Sequence, residues 1–510
     1  MKYILIISIL FSALLSGAQG GFRSRIYLHG APDNQAKAIF EMSPGNYVAA
    51  GWAADTVGWP QEINRLTLMG LDSVGTLKWY KQYGSFDFFY KNNIFISRSY
   101  YRQGDNLFYT GTVQDSTSIR HKGVLIKFDA NGDTLWQKIY RDPDPDVDVI
   151  PQMVTASVDG GFLITGFFQH WGDGRRCLLI KTDSQGNELW RKNISKAPPN
   201  VQDGKAIVQD SATKKIVIVG YQYPYSNATH HNILVLDSLG NKLHQGSFGA
   251  GNPLDLIQSK DKFFYMTGFR SSDQNNIITV SPFVAKFSLA DPGTKIWHKE
   301  YKPVSLRSGF YTIREVEGGF LLGGSLDTTE VLTGFPNDHL RLVKIDSNGN
   351  LLSDRTYSYA LNTNANGSNT FGPRSLELTS DGGCVVANEI YNNPRPNPFF
   401  FVKFDSNGCD SSSSYCENLV AGQKEVEAGS FSFGLFPNPA NNTTRVSFPS
   451  VSNKNYSVVL NDVTGKEVLQ KRQCKSEDTL DLDNLQNGLY FVTLYEAGKT
   501  VGTKKLLVQR

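Results

Sequence analysis

The chain is poor in cysteine and carries almost no surplus of charge. Its 510 residues include five cysteines, and no Cys-x-x-Cys or Cys/His spacing of a metal-binding kind is present. Lysine and arginine number 51 against 48 aspartates and glutamates, and no long basic run occurs. A charge this close to balance disfavours nucleic acid or an anionic membrane as the principal partner.

The motifs of common enzyme chemistry are also missing. No glycine-rich loop opens a helix with Lys-Ser or Lys-Thr, and there is no Gly-x-Ser-x-Gly elbow. The acidic run from Asp142 to Asp148 contains oxygen ligands that calcium accepts, but its prolines break the loop geometry of an EF-hand. We predict no catalytic residues, no cofactor and no metal.

A long apolar stretch occurs only at the N-terminus. Ile4 to Leu15 follow Lys2 and form a predominantly apolar stretch of 12 residues, which is too short to span a bilayer. Ser16 and Ala18 then place small residues at −3 and −1 of a cleavage site. We therefore predict a secretory signal peptide over residues 1–18 and no transmembrane segment after its removal.

A repeating pattern of short strands organises the chain up to residue 416. Its landmark is an apolar strand that ends at an Asp, with a turn Gly three residues later, as in Asp129 to Gly132. The Asp slot recurs every 51 to 59 residues and holds Asp72, Asp129, Asp183, Asp237, Ser288, Asp346 and Asp405. A regular period of this length, built from short strands, indicates a β-propeller with one repeat per blade.

The strand after each turn Gly carries aromatic side chains at a regular spacing. Most positions four and eight residues beyond the Gly are aromatic. The fourth positions hold Trp79, Trp136, Trp190, His244, Trp297 and Ser353, and the eighth hold Tyr83, Tyr140, Ile194, Phe248, Tyr301 and Tyr357. An offset of four keeps both side chains on one face of a strand. We predict that these aromatics pack between neighbouring blades.

The seventh repeat stops after its turn, since no Trp-bearing strand follows Asp405. An unmatched strand instead begins the mature chain, from Phe22 to His29, and its Tyr27 aligns with Tyr83. We expect this strand to complete the last blade, because that joins the ends of the repeat region and removes exposed sheet edges. The fold prediction is all-β, with a seven-bladed β-propeller over residues 19–416.

The repeats resemble the Gly- and Trp-rich propeller repeats of many exported proteins of the Bacteroidetes type. In the Asp-x-x-Gly-x-x-x-Trp element they are also similar to quinoprotein repeats. A quinoprotein dehydrogenase would often show an adjacent cysteine pair, and a sialidase would show a Ser-x-Asp-x-Gly-x-Thr-Trp turn. The sequence has neither pattern. Propeller architecture alone implies no activity.

The last part of the chain has a different character. The polar residues 417–430 show no strand pattern and are predicted to be a linker. Residues 431–510 contain short alternating strands, which favour a small Ig-like β-sandwich. Just before the linker, Cys409 and Cys416 flank a serine-rich loop and are the best candidates for a disulfide.

Four motifs occur in order within this terminal segment. They are Leu-Phe-Pro-Asn-Pro-Ala at 435–440, Asp-Val-Thr-Gly-Lys at 462–466, Leu-x-x-Gly-x-Tyr at 485–490 and Lys-Lys-Leu-Leu-Val at 504–508. With them the segment resembles the C-terminal sorting domain of type IX secretion cargo. The resemblance implies export through Sec and then the type IX machinery, to a secreted or surface-attached location. It assigns the sorting signal to Pro437, Asn438, Pro439, Gly465, Gly488, Tyr490, Lys504 and Lys505.

Two tryptophans lie in polar loops between the strands of the repeats. Trp59 and Trp171 could form a ligand face that stacks on sugars or binds a protein partner. Alternatively, they could pack against neighbouring blades. Our leading hypothesis is a non-enzymatic propeller that binds an extracellular protein or polysaccharide. The alternative is an extracellular glycan-active hydrolase whose catalytic groups lie on blade loops.

Overall fold

The chain is an all-β protein, as predicted. In the computed structural model, the described residues are 21–28, 31, 33–54, 64–84, 88–91, 98–115, 120–170, 174–194, 201–223, 230–247, 249, 251–274, 277–301, 308–327, 338–357, 359, 369–391, 396–410, 433–448, 455–463, 466–497 and 499–509. They form strands and turns without a helix, so no membrane-spanning helix is found among them. The chain divides into two compact units, Met1–Asn418 and Leu419–Arg510.

The described part of the first unit forms seven antiparallel sheets. Sheet 1 contains β2 (Asp33–Ser43), β3 (Asn46–Ala54), β4 (Asn64–Leu71) and β5 (Leu77–Tyr83). Sheet 2 contains β6 (Phe88–Lys91), β7 (Tyr100–Gln103), β8 (Asn106–Asp115), β9 (Lys122–Phe128) and β10 (Thr134–Tyr140). Sheet 3 contains β11 (Val147–Ala156), β12 (Phe162–His170), β13 (Gly174–Thr182) and β14 (Glu188–Ile194).

The remaining four sheets follow the same four-strand order. Sheet 4 contains β15 (Val201–Gln209), β16 (Ile216–Tyr223), β17 (His230–Leu236) and β18 (Lys242–Gly246). Sheet 5 contains β19 (Asn252–Gln258), β20 (Phe264–Gln274), β21 (Ile277–Phe287) and β22 (Lys295–Glu300). Sheet 6 contains β23 (Gly309–Val316), β24 (Gly319–Asp327), β25 (Asp338–Ile345) and β26 (Leu351–Tyr357). Sheet 7 contains β27 (Asn369–Leu378), β28 (Cys384–Tyr391), β29 (Phe399–Phe404) and, from the start of the chain, β1 (Phe22–Ile26).

The repeated Asp closes the turn between the third and fourth strands. In sheet 2, Asp129 Oδ1 accepts hydrogen bonds from the backbone amides of Asn131 (2.9 Å) and Asp133 (2.8 Å). The same arrangement occurs at Asp72, Asp183, Asp237, Asp346 and Asp405. The side chain therefore supplies the acceptor that the tight turn needs, which explains why Asp recurs at this position.

The aromatic residues of the fourth strands pack against the next sheet, as predicted. The Trp136 ring lies over the turn glycine of sheet 3, where a Cβ built on Gly186 would come within 2.7 Å of the ring. Trp79, Trp190 and Trp297 occupy the same place over the following turn glycines. The hydrophobic clusters of this unit accordingly lie between neighbouring sheets, and the core is distributed around the ring of sheets.

The N-terminal strand completes the last sheet, as predicted, but with a different register. β1 pairs with β29 so that Phe22 lies opposite Lys403, the place that Trp136 has opposite Lys127 in sheet 2. Phe22 packs on Gly75 of sheet 1, and Ser24 Oγ donates to the carbonyl of Gly75 at 2.7 Å. The alignment of Tyr27 with Tyr83 is wrong by one residue, because Ile26 takes that position and Tyr27 is 47% exposed. His29 lies outside the described residues.

The second unit contains two small antiparallel sheets in its described part. One has the order β30 (Gly434–Phe436), β31 (Thr443–Ser447) and β34 (Asp478–Asp481). The other has the order β33 (Glu467–Lys471), β32 (Tyr456–Asn461), β35 (Gly488–Glu496) and β36 (Lys499–Val508). Alternating side chains such as Val458, Leu460, Val492 and Leu494 are buried between the sheets, as the period of two along a strand requires.

Candidate functional site

The first strands of the sheets share a bulge that lies near the axis of the ring. These strands pack against one another from sheet to sheet, which places them innermost. A one-residue register shift interrupts six of them at equivalent places, at Lys37, Gln152, Lys205, Leu254, Tyr311 and Arg374. In sheet 2 Arg98 has the equivalent place, because the next residue, Ser99, accepts the amide of Thr110 at 2.8 Å. A bulge redirects a side chain, and here it presents four basic residues at one level.

Four charged residues meet across the axis and are termed the axial network: Arg98, Asp255, Arg314 and Glu377. Arg98 of sheet 2 pairs with Asp255 of sheet 5, with Nε and Oδ1 2.8 Å apart. Arg314 of sheet 6 reaches the second oxygen of Asp255 at 3.1 Å and also pairs with Glu377 of sheet 7. Asp255 is fully buried and accepts the amides of Leu256 (2.8 Å) and Ile313 (3.0 Å). Sheets far apart in the chain are thus joined at the centre.

The pKa values of the two arginines in the axial network are shifted in opposite directions. Burial, followed by repulsion from Arg314, lowers the pKa of Arg98 to about 10 despite its contact with Asp255. Burial also opposes the charge of Arg314, but Glu377 and Asp255 outweigh it and raise the pKa of that guanidinium above its ordinary value. Both arginines therefore remain cationic at neutral pH, and their charges are matched by the two carboxylates.

A cavity of about 270 Å³ lies beside the axial network and is termed the axial cavity. Five sheets contribute to its wall, through residues 40–41, 98, 100–102, 153–155, 314 and 377–378. These residues are in the last part of the innermost strands, near the short turns that lead into the second strands. Glu41 is held in the wall by the amides of Gly45 (3.3 Å) and Ser380 (2.6 Å).

A second group of buried charges joins sheets 1 and 7. Glu389 Oε2 accepts Arg374 Nη2 at 2.6 Å, and its other oxygen accepts the ammonium of Lys37. Although burial opposes the charge of Glu389, Arg374 and Lys37 outweigh it and lower the pKa of that carboxyl below its ordinary value. Sheet 7 contains both ends of the repeat region and packs against sheet 1, so these polar contacts reinforce the place where the ring closes.

In the second unit, Asn438 connects the first of the four terminal motifs to the last. Its amide nitrogen donates to the carbonyl of Lys505 at 2.7 Å, and its amide oxygen accepts the backbone amide of Leu507 at 2.9 Å. Ala440 continues this contact as a parallel bridge to Val508. The carbonyl of Pro437 accepts Thr444 Oγ1 at 2.9 Å. Motifs about 65 residues apart in the chain thus form one structure.

The other predicted sorting residues have varied environments. The buried Tyr490 donates from its hydroxyl to the carbonyl of Gln486 at 2.8 Å, and Gly488 pairs with Val508. Pro439 is exposed, Lys505 is half-buried, and the exposed Lys504 lies 5.8 Å from the ring centre of Phe433. Beside the Asn438 contact, Phe436 is 70% exposed and Leu507 is 39% exposed. The sequence motifs did not single out these two apolar residues.

Three predicted site residues and one predicted disulfide partner cannot be placed. Trp59, Trp171, Gly465 and Cys416 lie outside the described residues, so the ligand face and the pairing of Cys409 with Cys416 stay predictions. Cys177 and Cys384 are buried, and burial raises the pKa of each thiol to about 12. Thiols in that condition are poor nucleophiles at neutral pH.

The residues of the axial network and the axial cavity are likewise not predicted from the sequence. A sequence signal exists only for the bulged residues, each of which precedes a Gly or Asn in the second strand of its sheet by 13 to 15 residues. Of the axial network, only Arg98 has such a position. That offset holds for Lys37 before Gly51 and for Arg374 before Asn388. The residue type varies among the repeats, however, so composition alone does not reveal the position.

Comparison with known families identifies the second unit. Residues 434–509 match the family described as the secretion system C-terminal sorting domain. The chain is therefore a type IX secretion cargo with a C-terminal sorting domain, preceded by a repeat β-propeller. No curated protein matches it significantly.

Solved structures offer only distant likenesses. The extracellular domain of a protein assigned to a one-component system of B. thetaiotaomicron is 11% identical, with 93% of this chain and 69% of that chain covered and a TM-score of 0.29. A Lactobacillus plantarum protein is 11% identical over 91% of this chain and 100% of its own, with a TM-score of 0.42. The β-propeller domain of the Trilobed protease from Pyrococcus furiosus is 8% identical over 76% of this chain and 94% of its own, with a TM-score of 0.36.

Proposed function

We propose that this type IX secretion cargo is a non-enzymatic, seven-bladed β-propeller that binds an extracellular protein or polysaccharide, released from the cell or attached to its surface. The observation that carries the proposal is the sorting domain at residues 434–509, attached to a repeat scaffold. Its seven sheets are the proposed blades, and the two sheets of the second unit are the proposed Ig-like sandwich.

The proposed route of export uses two segments of the chain. Residues 1–18 are the proposed Sec signal of a Bacteroidetes-type cell, and residues 417–430 are the proposed linker that allows the sorting domain to act separately. The sorting surface that we propose for the machinery combines Pro437 to Pro439 with the end of β36, where the exposed Phe436 and Leu507 add apolar area.

The charges at the centre of the ring support a binding role over a catalytic one. Arg98 and Arg314 are matched by Asp255 and Glu377, and Glu389 lies between two cations. Arg374 and Lys37 outweigh the burial of Glu389 and lower the pKa of its carboxyl, whereas a glycosidase acid needs a raised pKa. The alternative of a glycan-active hydrolase is therefore the less favoured reading.

Two experiments test the proposal. Removing residues 431–510 should leave a folded propeller that accumulates in the periplasm, and fusing those residues to an unrelated exported protein should carry it across the outer membrane. Surface delivery of the truncated chain would refute the sorting assignment.

A glycan array followed by product analysis tests the binding role. Binding without turnover supports the proposal, and release of sugars from a bound glycan would establish the hydrolase instead. A mature protein that retained no glycan and no extracellular protein of its own cell surface would contradict both.

A further inference from the structure

The outer face of the larger sheet in the second unit carries apolar side chains. In β32, β35 and β36 every second residue points into the sandwich, where Leu460, Val492 and Leu506 are buried. The residues between them face outwards, and in a two-sheet sandwich such residues are usually polar. Four of them are instead apolar and partly exposed, and they are termed the outer patch: Val459, Leu489, Phe491 and Leu507.

The strand register makes the outer patch continuous. Leu489 of β35 lies opposite Leu507 of β36, and Phe491, two residues further along β35, is therefore a diagonal neighbour of Leu507. Val459 of β32 is a diagonal neighbour of Phe491 on its other side. Diagonal neighbours on one face of a sheet are within reach of an aromatic ring. All four residues lie outside the hydrophobic cluster between the two sheets, so their exposed surface is open to a partner.

The outer patch borders the residues that the resemblance assigns to the sorting signal. Asn438 holds the backbone of Lys505 and Leu507 along the edge of the sheet. Lys505 lies directly opposite Phe491 on the outer face, and it is half-buried. A lysine in that position covers apolar surface with its methylene groups and keeps its ammonium in water. The apolar patch and the predicted sorting residues are thus parts of one surface.

The edge of the outer patch is positively charged. β36 contains three lysines and no acidic residue. Glu496, the only acidic residue of β35, lies opposite Lys499 at the far end of the hairpin, away from Lys504 and Lys505. A partner that complements this arrangement has an apolar surface with carboxylates at its border.

A protein fits this surface better than a lipid bilayer does. The second unit has 11 basic and nine acidic residues, a balance that gives an anionic membrane little attraction for it. Of the outer patch, Leu507 at 39% is the most exposed residue, and the other three lie lower on the sheet. A shallow apolar face of this kind matches the fully packed centre of a protein interface.

We propose that the outer patch is the docking surface for a protein of the type IX machinery, whose own surface is apolar and bordered by carboxylates that meet Lys504 and Lys505. The proposal rests on the sorting function proposed above and deepens it, because it states where the sorting domain is recognised and by what chemistry. The hydrogen bonds of Asn438 then hold the edge of this surface in place.

The first test removes the apolar character of the outer patch from the complete chain. Phe491→Thr combined with Leu507→Thr replaces two outward side chains by a polar residue that strands favour. In a host with the type IX system, cell fractionation should find about tenfold less protein outside the cell, and thermal melting should remain that of wild type. The matched control is Leu189→Thr with Leu243→Thr, at residues 58% and 54% exposed in sheets 3 and 4, and it should be exported normally.

The second test changes only the charge. Lys505→Glu leaves the apolar residues and the backbone bond to Asn438 in place, since that bond uses the carbonyl of residue 505. Export should fall by about three- to tenfold, because the new carboxylate would repel those of the partner. Lys505→Arg keeps the charge and should be exported like wild type. A role of this residue in folding alone would instead lower the melting temperature of Lys505→Glu.

Photo-crosslinking identifies what covers the outer patch. Leu507→p-benzoylphenylalanine should join the chain to a component of the outer-membrane type IX machinery, identified by mass spectrometry. Crosslinks only to a second copy of this chain, to its own propeller or to lipid would overturn the proposal, and so would the absence of any crosslink.

Normal export of both the double variant and Lys505→Glu would also overturn the proposal. If the chain without residues 431–510 then stayed in the periplasm, the sorting function would stand and only the docking surface would be wrong. Surface delivery of that truncated chain would refute the sorting function and the docking surface together.

Discussion

The hydroxyl of Tyr140 donates a hydrogen bond of 2.8 Å to the carbonyl oxygen of Gly186, 46 residues further along the chain. Tyr301 makes the same bond to Gly349 at 3.0 Å, and Tyr83 and Tyr357 have Gly132 and Gly408 as partners. Each bond joins the outer strand of one sheet to the turn of the next. At Gly132, Gly186 and Gly349 a tryptophan also covers the same glycine, and the two contacts together hold neighbouring sheets at a constant spacing, which a ring of repeats requires.

The turn glycines should be sensitive to substitution because a ring lies on them. Gly186 has a φ of +77° and Gly318 a φ of +78°, but only Gly186 has an aromatic neighbour, since the space around Gly318 is open. We expect Gly318→Ala to cost about 1–2 kcal/mol from backbone strain alone. Gly186→Ala should cost roughly 1–3 kcal/mol more, because the methyl group would displace Trp136. Urea titration measures the free energy of unfolding of both variants. Equal losses of stability would show that the contact between Trp136 and Gly186 contributes nothing.

Closure of the ring should depend on Phe22. This side chain is 3% exposed and packs on Gly75, whereas Tyr27, just beyond β1, is 47% exposed. Phe22→Ala should destabilise the first unit by about 3–5 kcal/mol, the usual range for a buried Phe. Tyr27→Ala should stay within about 0.5 kcal/mol of wild type. Thermal melting distinguishes the two, and a Phe22→Ala variant that melts like wild type would show that closure does not rest on this strand.

The Glu389 carboxylate should make the stability of the first unit fall at acidic pH. Its pKa in the folded state is lowered from the ordinary 4.5, so its contribution is complete above about pH 4.5 and is lost as the pH falls through the lowered value. At neutral pH, Glu389→Gln should cost about 3–5 kcal/mol, because Lys37 and Arg374 lose the charge between them. The difference in the free energy of unfolding between wild type and Glu389→Gln should become smaller below pH 4.5.

Unfolding free energies measured from pH 7 to pH 3 test this prediction. Glu317→Gln is the matched control, since Glu317 is exposed in a turn and should change neither the stability nor its pH profile. A constant gap between wild type and Glu389→Gln over the whole pH range would contradict the assigned role.

Asn438 should be required for export, since it fastens the first terminal motif to the last strand. Asn438→Ala removes a donor to Lys505 and an acceptor from Leu507, and should destabilise the second unit by roughly 1–3 kcal/mol. Cell fractionation should then find more of the protein in the periplasm and less outside. Asn441→Ala is the control, because Asn441 is exposed nearby. Normal surface delivery of Asn438→Ala would remove this contact from the sorting signal.

Local chemistry explains what could be predicted without the structure. The Asp of each turn, the Gly that follows it and the Trp four residues later are determined by contacts within a repeat or between adjacent repeats, so they recur and can be read from spacing. The fourth strand of the last sheet can be predicted for a similar reason. The seventh repeat lacks this strand, and the start of the mature chain has an unmatched strand that can supply it. Its register was off by one, because a single alignment of Tyr27 cannot outweigh the burial of Phe22 against Gly75.

The axial residues could not be predicted in this way, because their partners lie on different sides of the ring. Arg98 and Asp255 are 157 positions apart, and each occupies its place only when all of the intervening sheets are assembled. The sequence alone therefore determined the strands, the turns and the sorting motifs, which depend on local hydrogen bonding and side-chain alternation. The pairing of charges at the axis and the cavity beside them were decided by tertiary structure, since side chains from four different sheets come together only when those sheets are assembled.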